Sequence, residues 1–222
     1  MKLLLVCNHR DIISDTLQWF QQQHAVINDN NIAFKQHKIE ILETGFGGFK
    51  VGFHLTECIL KSHYNLILKL SEANALIDSI AVGQVVNIIR DFPASDGNLF
   101  ENSFSDLYDT GYMHTAEHPH QLGGLVNKTN SYLNVFLPYK KVFSITSAIS
   151  SHHATLKTIR IEKYKPHIET ADGIYFSYPC LWKRVSFYHL AAVTENLVTG
   201  EKNTALAKQE LNKELIEIIQ KL

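Results

Sequence analysis

The stretch "KIEILETGFGGFKVGFHLTECIL", from Lys38 to Leu60, changes its period in the middle. Ile39 and Ile41 alternate with polar neighbours, so Lys38 to Leu42 reads as a strand. Beyond Gly45-Phe46-Gly47-Gly48, Phe53, Leu55, Ile59 and Leu60 recur at helical spacing. A strand, a glycine turn and a helix in that order form one unit of a layered α/β fold.

The rest of the chain repeats the pattern. Leu3 to Cys7 is an apolar run of strand length, and Asp11 to Gln23 carries Ile12, Ile13, Leu17 and Phe20 at helical spacing. Further strands are expected at Leu66–Leu70, Val85–Ile89, Lys141–Thr146 and Ser186–Val193, with a helix over Ser151–Arg160. Leu206, Leu211, Leu215, Ile218, Ile219 and Leu222 form the stripe of a closing amphipathic helix. Asp91 to Leu137, rich in Gly, Pro, Asn and Ser, reads as loops with short elements. The expected architecture is α/β, three-layered around a mainly parallel central sheet, with residues 1–222 forming one domain.

Composition narrows the function. Lys plus Arg number 21 and Asp plus Glu 22, so the chain lacks the basic field that general nucleic-acid binding needs. No apolar run reaches the roughly 20 residues of a membrane span, and the first apolar run is too short for a signal-peptide core. Cys7, Cys58 and Cys180 lie far apart in apolar surroundings, as reduced core cysteines of a cytoplasmic protein do. His114, Glu117 and His118 fit a zinc-binding pattern, but Pro119 disfavours the helix that pattern requires, so no metal is expected there.

In folds of this type ligands bind at the carboxyl ends of the strands. The glycine turn with Gly45 and Gly47, the segment after Leu70, Asp172-Gly173 and Glu195 are therefore the places to look. Each also has a plain structural reading. The glycines suit a tight strand–helix turn, and an acid such as Asp172 at a helix start caps amides and favours the helix dipole.

The blocks "TGFGGFKVGFHLTECI", "YNLILKLSEANALIDSIAVGQVVNI", "HIETADGIYFSYPC" and "VSFYHLAAVTENL" resemble, in this order, those of the nucleoside phosphorylase and nucleosidase family. Within it they are most similar to the futalosine hydrolases, which release hypoxanthine from futalosine during menaquinone synthesis. The resemblance implies a homodimer or higher homo-oligomer, a purine nucleoside substrate such as futalosine, and no metal or organic cofactor. Phe100, Phe104, Tyr108 and Tyr112 are candidate interface anchors. It also implies an oxocarbenium-like transition state and three carboxylates. One holds the ribose hydroxyls, one near the end of a late strand assists departure of the purine, and an N-terminal one orients water.

Several of the implied site positions differ here. The ribose-binding Met-Glu-Gly motif falls on Ala171-Asp172-Gly173, where the acid is one methylene shorter, about 1 Å. The late-strand acid falls on Glu195. Asp11 is nearest to the N-terminal acid, although strict alignment places Ile12 there. A small glycine-rich turn falls on Lys69–Asn74, without its glycines and with Glu72 inside it. Two readings follow: a nucleoside N-ribosyl hydrolase with a shifted site, or a catalytically impaired paralogue that binds a nucleoside or a protein partner. They separate on whether Asp172 and Glu195 face an open pocket or are blocked by Lys69 and Glu72.

Overall fold

The computed structural model describes residues 1–222. The first half holds β1 (Lys2–Cys7), a 3-10 turn (Arg10–Ile13), α1 (Ser14–Gln22), β2 (Val26–Asn28), β3 (Asn31–Phe34), β4 (His37–Glu43) and α2 (Gly48–Lys61). There follow β5 (Leu66–Ala75), β6 (Val85–Pro93), β7 (Gly97–Leu99), β8 (Phe104–Asp106), β9 (His120–Gln121), β10 (Gly124–Val126) and α3 (Leu133–Phe136). The last part is β11 (Lys140–Thr146), α4 (Ala154–Tyr164), β12 (Ile168–Thr170), α5 (Gly173–Trp182), β13 (Phe187–Asn196) and α6 (Thr204–Lys221).

Three layers form because β1 buries both faces. Leu3 and Leu5 pack with Phe20 of α1 and with Leu211 and Leu215 of α6. Leu4 and Val6 pack with Val51 and Leu55 of α2 and with Phe176 and Cys180 of α5. A strand covered on both sides reads as a continuous apolar run, which is why Leu3–Cys7 lacks alternation.

The central sheet is mainly parallel, as expected, with some antiparallel pairings. Its longest ladders, β5 with β13, β6 with β11 and β1 with β4, are parallel. β12 joins β5, and β13 joins β6, in antiparallel register. The circuit β5, β12, β11, β6, β13 and back to β5 closes on itself. One end of its interior is apolar, with Ala73, Ala75, Val86, Ile88, Val142, Ile168, Ala191 and Val193. The same inward faces of β5 and β13 carry Lys69, Ser71 and His189 towards the other end.

Other boundaries also move. Lys69 to Asn74, expected as a turn, is strand: β5 runs on to Ala75 because β13 pairs with it over nearly its whole length. The expected helix from Ser151 starts at Ala154, since Ser151 is held by hydrogen bonds from its amide to the Glu169 carboxylate, at 3.0 and 3.1 Å. Neither His114 nor His118 is helical: His114 lies in irregular chain and His118 in a turn. Of the four expected interface aromatics, Phe104 and Tyr108 are half-buried in the fold. Phe100 and Tyr112 are 57 and 81% exposed, and further exposed aromatics are Phe46, Phe49 and Phe53 around α2 and Tyr178 and Trp182 of α5. No helix is long and apolar enough to cross a membrane.

Candidate functional site

The site arises where β1 and β12 stop. β1 pairs with β5 only as far as Lys69, and β12 pairs with it only at Asn74 and Ala75. Between these ends one edge of β5 is unpaired. The chain leaves β1 at Asn8 and β12 at Ala171, and a two-lobed cleft opens there. Such crevices at strand ends are the usual ligand sites of open α/β sheets.

The first lobe has a volume of about 370 Å³ and is lined by Asn8, Asp11, Phe46, Glu72, Ala171 and Asp172 among others. The second, about 230 Å³, is lined by Asn74, Ser147, Ser150, Glu169 and Thr194. Glu72 and Ala171 belong to both, so they mark the junction. Gly45 and Gly47 are at positive φ, +74° and +103°, and shape the turn that carries Phe46 to the first lobe.

Asp172 is buried and stands at the N-cap of α5, yet its side chain caps nothing. The first amides of α5 are satisfied by others: Gly173 donates to Thr170 Oγ1 at 3.3 Å and Ile174 to Thr146 Oγ1 at 2.8 Å. The Asp172 carboxylate turns instead to Asn8 Nδ2 and, at 3.2 Å, to Lys69 Nζ. Lys69 is fully buried and also donates to Asn8 Oδ1 at 2.8 Å. Burial pushes the Asp172 carboxyl up, but the Lys69 charge and the Asn8 hydrogen bond outweigh it and hold it below the usual range.

A deeper polar layer lies behind this pair. His189 Nε2 is 2.7 Å from Ser71 Oγ. Burial, reinforced by the charge of Lys69, drives the His189 pKa down to about 3, so the ring is neutral. Asp91 accepts from Thr146 Oγ1 at 2.9 Å. Burial pushes its carboxyl up to about 7. Gly173 is required here: a Cβ on it would lie 2.1 Å from Asp91 Oδ2 and 2.8 Å from Thr170 Oγ1. Its role in the structure is to let α5 close over this layer.

Glu195 sits on a bulge of β13, next to Thr194 of the second lobe, and itself lines neither lobe. Its carboxylate is 2.9 Å from Lys202 Nζ and 2.9 Å from His152 Nε2. The Lys202 bond first, and then His152, holds its carboxyl below the usual range. His152 Nδ1 continues to Ser150 Oγ at 2.7 Å, and Ser150 donates to Glu169 at 2.7 Å. Asp11 is exposed at the rim of the first lobe, 3.3 Å from His9 Nδ1.

The cleft therefore gathers Asp11, Glu72, Ala171 and Asp172 around one lobe. Glu195 is linked to the other through His152 and Ser150. Asn8, Asp91, His152 and His189 carry no motif. Their only sequence signal is a polar residue inside or just beyond an apolar strand, as in "LLLVCN" and "FYHLAAV". A sheet closing on itself, with layers on both faces and a polar cleft at the ends of β1 and β12, decides the architecture.

Solved structures show that this fold is the one the nucleosidases have. A futalosine hydrolase mutant of Helicobacter pylori strain 26695 superposes with a TM-score of 0.77 at 14% identity, covering 100% of both chains. The MTAN of Helicobacter pylori gives 0.76 at 12% identity, again over 100% of both. The 5'-methylthioadenosine/S-adenosyl homocysteine nucleosidase of Campylobacter jejuni gives 0.75 at 14%, over 100% of both. No protein-family model and no curated protein sequence matches the chain. At this identity the likeness is one of fold, and fold does not carry chemistry across.

Proposed function

We propose that this chain binds a purine nucleoside in the two-lobed cleft and hydrolyses its N-glycosidic bond, with futalosine as the first candidate substrate. The observation that carries the reading is the cleft itself. Two connected lobes, about 370 and 230 Å³, lie at the carboxyl ends of β1 and β12 in a nucleosidase fold. The larger takes the sugar and its 5' substituent and the smaller takes the base. Asn74, Ser150 and Thr194 supply the smaller lobe with hydrogen-bonding groups. The sugar passes through an oxocarbenium-like state, which nearby carboxylates stabilise.

Asp172 acts in this reading as a buried structural anion, since Lys69 and Asn8 already occupy its carboxylate. That same pair favours a second reading, nucleoside binding without turnover. The homodimer belongs to the proposal too, through the face where Phe49, Phe53 and Trp182 are 76, 66 and 50% exposed. We place the protein in the cytoplasm, where its three unpaired cysteines stay reduced.

The test is incubation of the purified protein with futalosine, inosine and 5'-methylthioadenosine, following free base by chromatography and binding by calorimetry. Base release supports hydrolysis. Saturable binding without release selects the second reading. Absence of binding to all three at millimolar concentration removes both.

A further inference from the structure

The carboxylates around the cleft are engaged, with one exception. Asp172 is paired with Lys69, Asp11 with His9, and Glu195 with Lys202 and His152. Glu169 accepts from Asn74, Ser150 and the Ser151 amide. Glu72 is exposed in the cleft and makes no hydrogen bond or ion pair. It is also the acid that lines both lobes, which places it at the bond joining sugar to base in a nucleoside lying across them.

The backbone at this residue points the same way. The Ile67 amide donates to Ser186 O, on the β13 side of β5, at 3.0 Å, whereas the Leu76 amide donates to His167 O, on the β12 side, at 2.9 Å. Backbone groups alternate between the two edges of a strand. Odd-numbered residues of β5 therefore face β13, and Glu72, like Leu76, faces the other edge. That edge is without a partner strand between Lys69 and Asn74. Glu72 thus presents its amide and carbonyl to that gap, and its side chain lines the two lobes beside it.

We propose that Glu72 is the catalytic base of this cleft, acting at the anomeric carbon. The proposal rests on the nucleosidase reading above. The Glu72 carboxylate takes a proton from a water molecule whose oxygen forms a bond to the anomeric carbon. The carbon–nitrogen bond breaks with its electron pair going to the base, and the departing base takes a proton from solvent. The products are the free sugar and the free base, and one water is consumed. The negative charge of Glu72 also stabilises the positive charge that develops on the sugar. The role differs from holding hydroxyls, which would show in KM rather than in kcat.

The decisive experiment compares wild type with Glu72→Gln, Glu72→Asp and Glu72→Ala on whichever nucleoside the wild type cleaves. Glu72→Gln is expected to lower kcat by about 10²–10⁴-fold, the usual worth of a general base, with KM little changed. The charged groups sharing the cavity, His9, Asp11, Asp172 and Lys208, remain in that variant. Added formate should restore part of the activity to Glu72→Ala and none to wild type. Because the side chain is exposed, thermal unfolding of all three variants should match wild type. A Glu72→Gln enzyme with unchanged kcat, or with only KM raised, overturns the inference and leaves the nucleosidase reading standing. A wild type that releases no base from any nucleoside overturns both.

Discussion

Replacing Lys69 by Met tests the buried pair under the cleft. The side chains of Lys69 and Asp172 are 0 and 3% exposed, and the charged atoms are 3.2 Å apart. At an effective dielectric of about 20, that separation corresponds to roughly 5 kcal/mol of attraction, much of it offset by the desolvation of both ions. Met keeps the length and removes the charge, leaving a buried carboxylate with Asn8 as its partner. Breaking a buried pair in this way costs about 3–5 kcal/mol. A ceiling exists, because Asp172 can instead take up a proton. From an ordinary pKa of about 3.9, protonation at pH 7 costs about 4 kcal/mol.

The expected loss is therefore about 3–4 kcal/mol at pH 7. For a chain of this size it corresponds to a fall in Tm of roughly 6–16 °C. The sign of the pH dependence follows from the depressed carboxyl of Asp172. The stability it contributes is present above the unfolded-state value and is lost as pH falls through the lower, folded-state value. The gap between wild type and Lys69→Met should shrink as pH falls from 7 to about 4, because in the variant the unpaired buried carboxyl takes up its proton over that range. Adding Asp172→Asn to Lys69→Met should recover most of the loss at pH 7. Thermal and urea unfolding of the four proteins, at pH 7 and pH 4, supply the measurement. A Tm change under about 2 °C at pH 7, or a loss of equal size at both pH values, refutes the argument.

On the proposed nucleoside-binding reading, Ala171→Met with Asp172→Glu should change the calorimetric Kd for futalosine little while Lys69 remains, and tighten it about tenfold (~1.4 kcal/mol) once Lys69→Met is added. Asp91, with its carboxyl raised to about 7, binds a proton more readily in the folded chain. The Asp91 contribution should therefore fall as pH rises from about 4 to 7, so wild type should lose stability relative to Asp91→Asn when the unfolding of both is followed across that window. His189 works in the opposite sense between pH 3 and 6.5, so the comparison with Asp91→Asn is made above pH 6 as well as below. Light scattering at micromolar concentration should report a dimer, and Phe53→Asp with Trp182→Glu should convert it to a monomer of unchanged helix content; a monomeric wild type removes that proposal.

The layered α/β architecture was legible in the chain because burial imposes a period on it. Lys38–Leu42 alternates and becomes β4, the helical spacing through Leu55 and Ile59 becomes α2, and the stripe from Leu206 to Leu222 becomes α6. The places where a site would lie were legible for a similar reason: strand ends in such a sheet are where chain direction changes and polar residues collect. What tertiary structure alone decided is the state of each carboxylate. Asp172 is a plausible cap in the sequence and a buried counter-ion in the fold, because Lys69 and Asn8 arrive from two other strands. Lys69 to Asn74 was expected as a turn only because a glycine-rich turn of the resembling family falls there; pairing with β13 holds these residues in strand. Glu72, one charge among 43 in the sequence, stands out only where β1 and β12 end and leave its edge of β5 without a neighbour. Periodicity is a local property and survives in the order of residues. Charge pairing depends on which strands become neighbours, and that is settled only when the sheet closes.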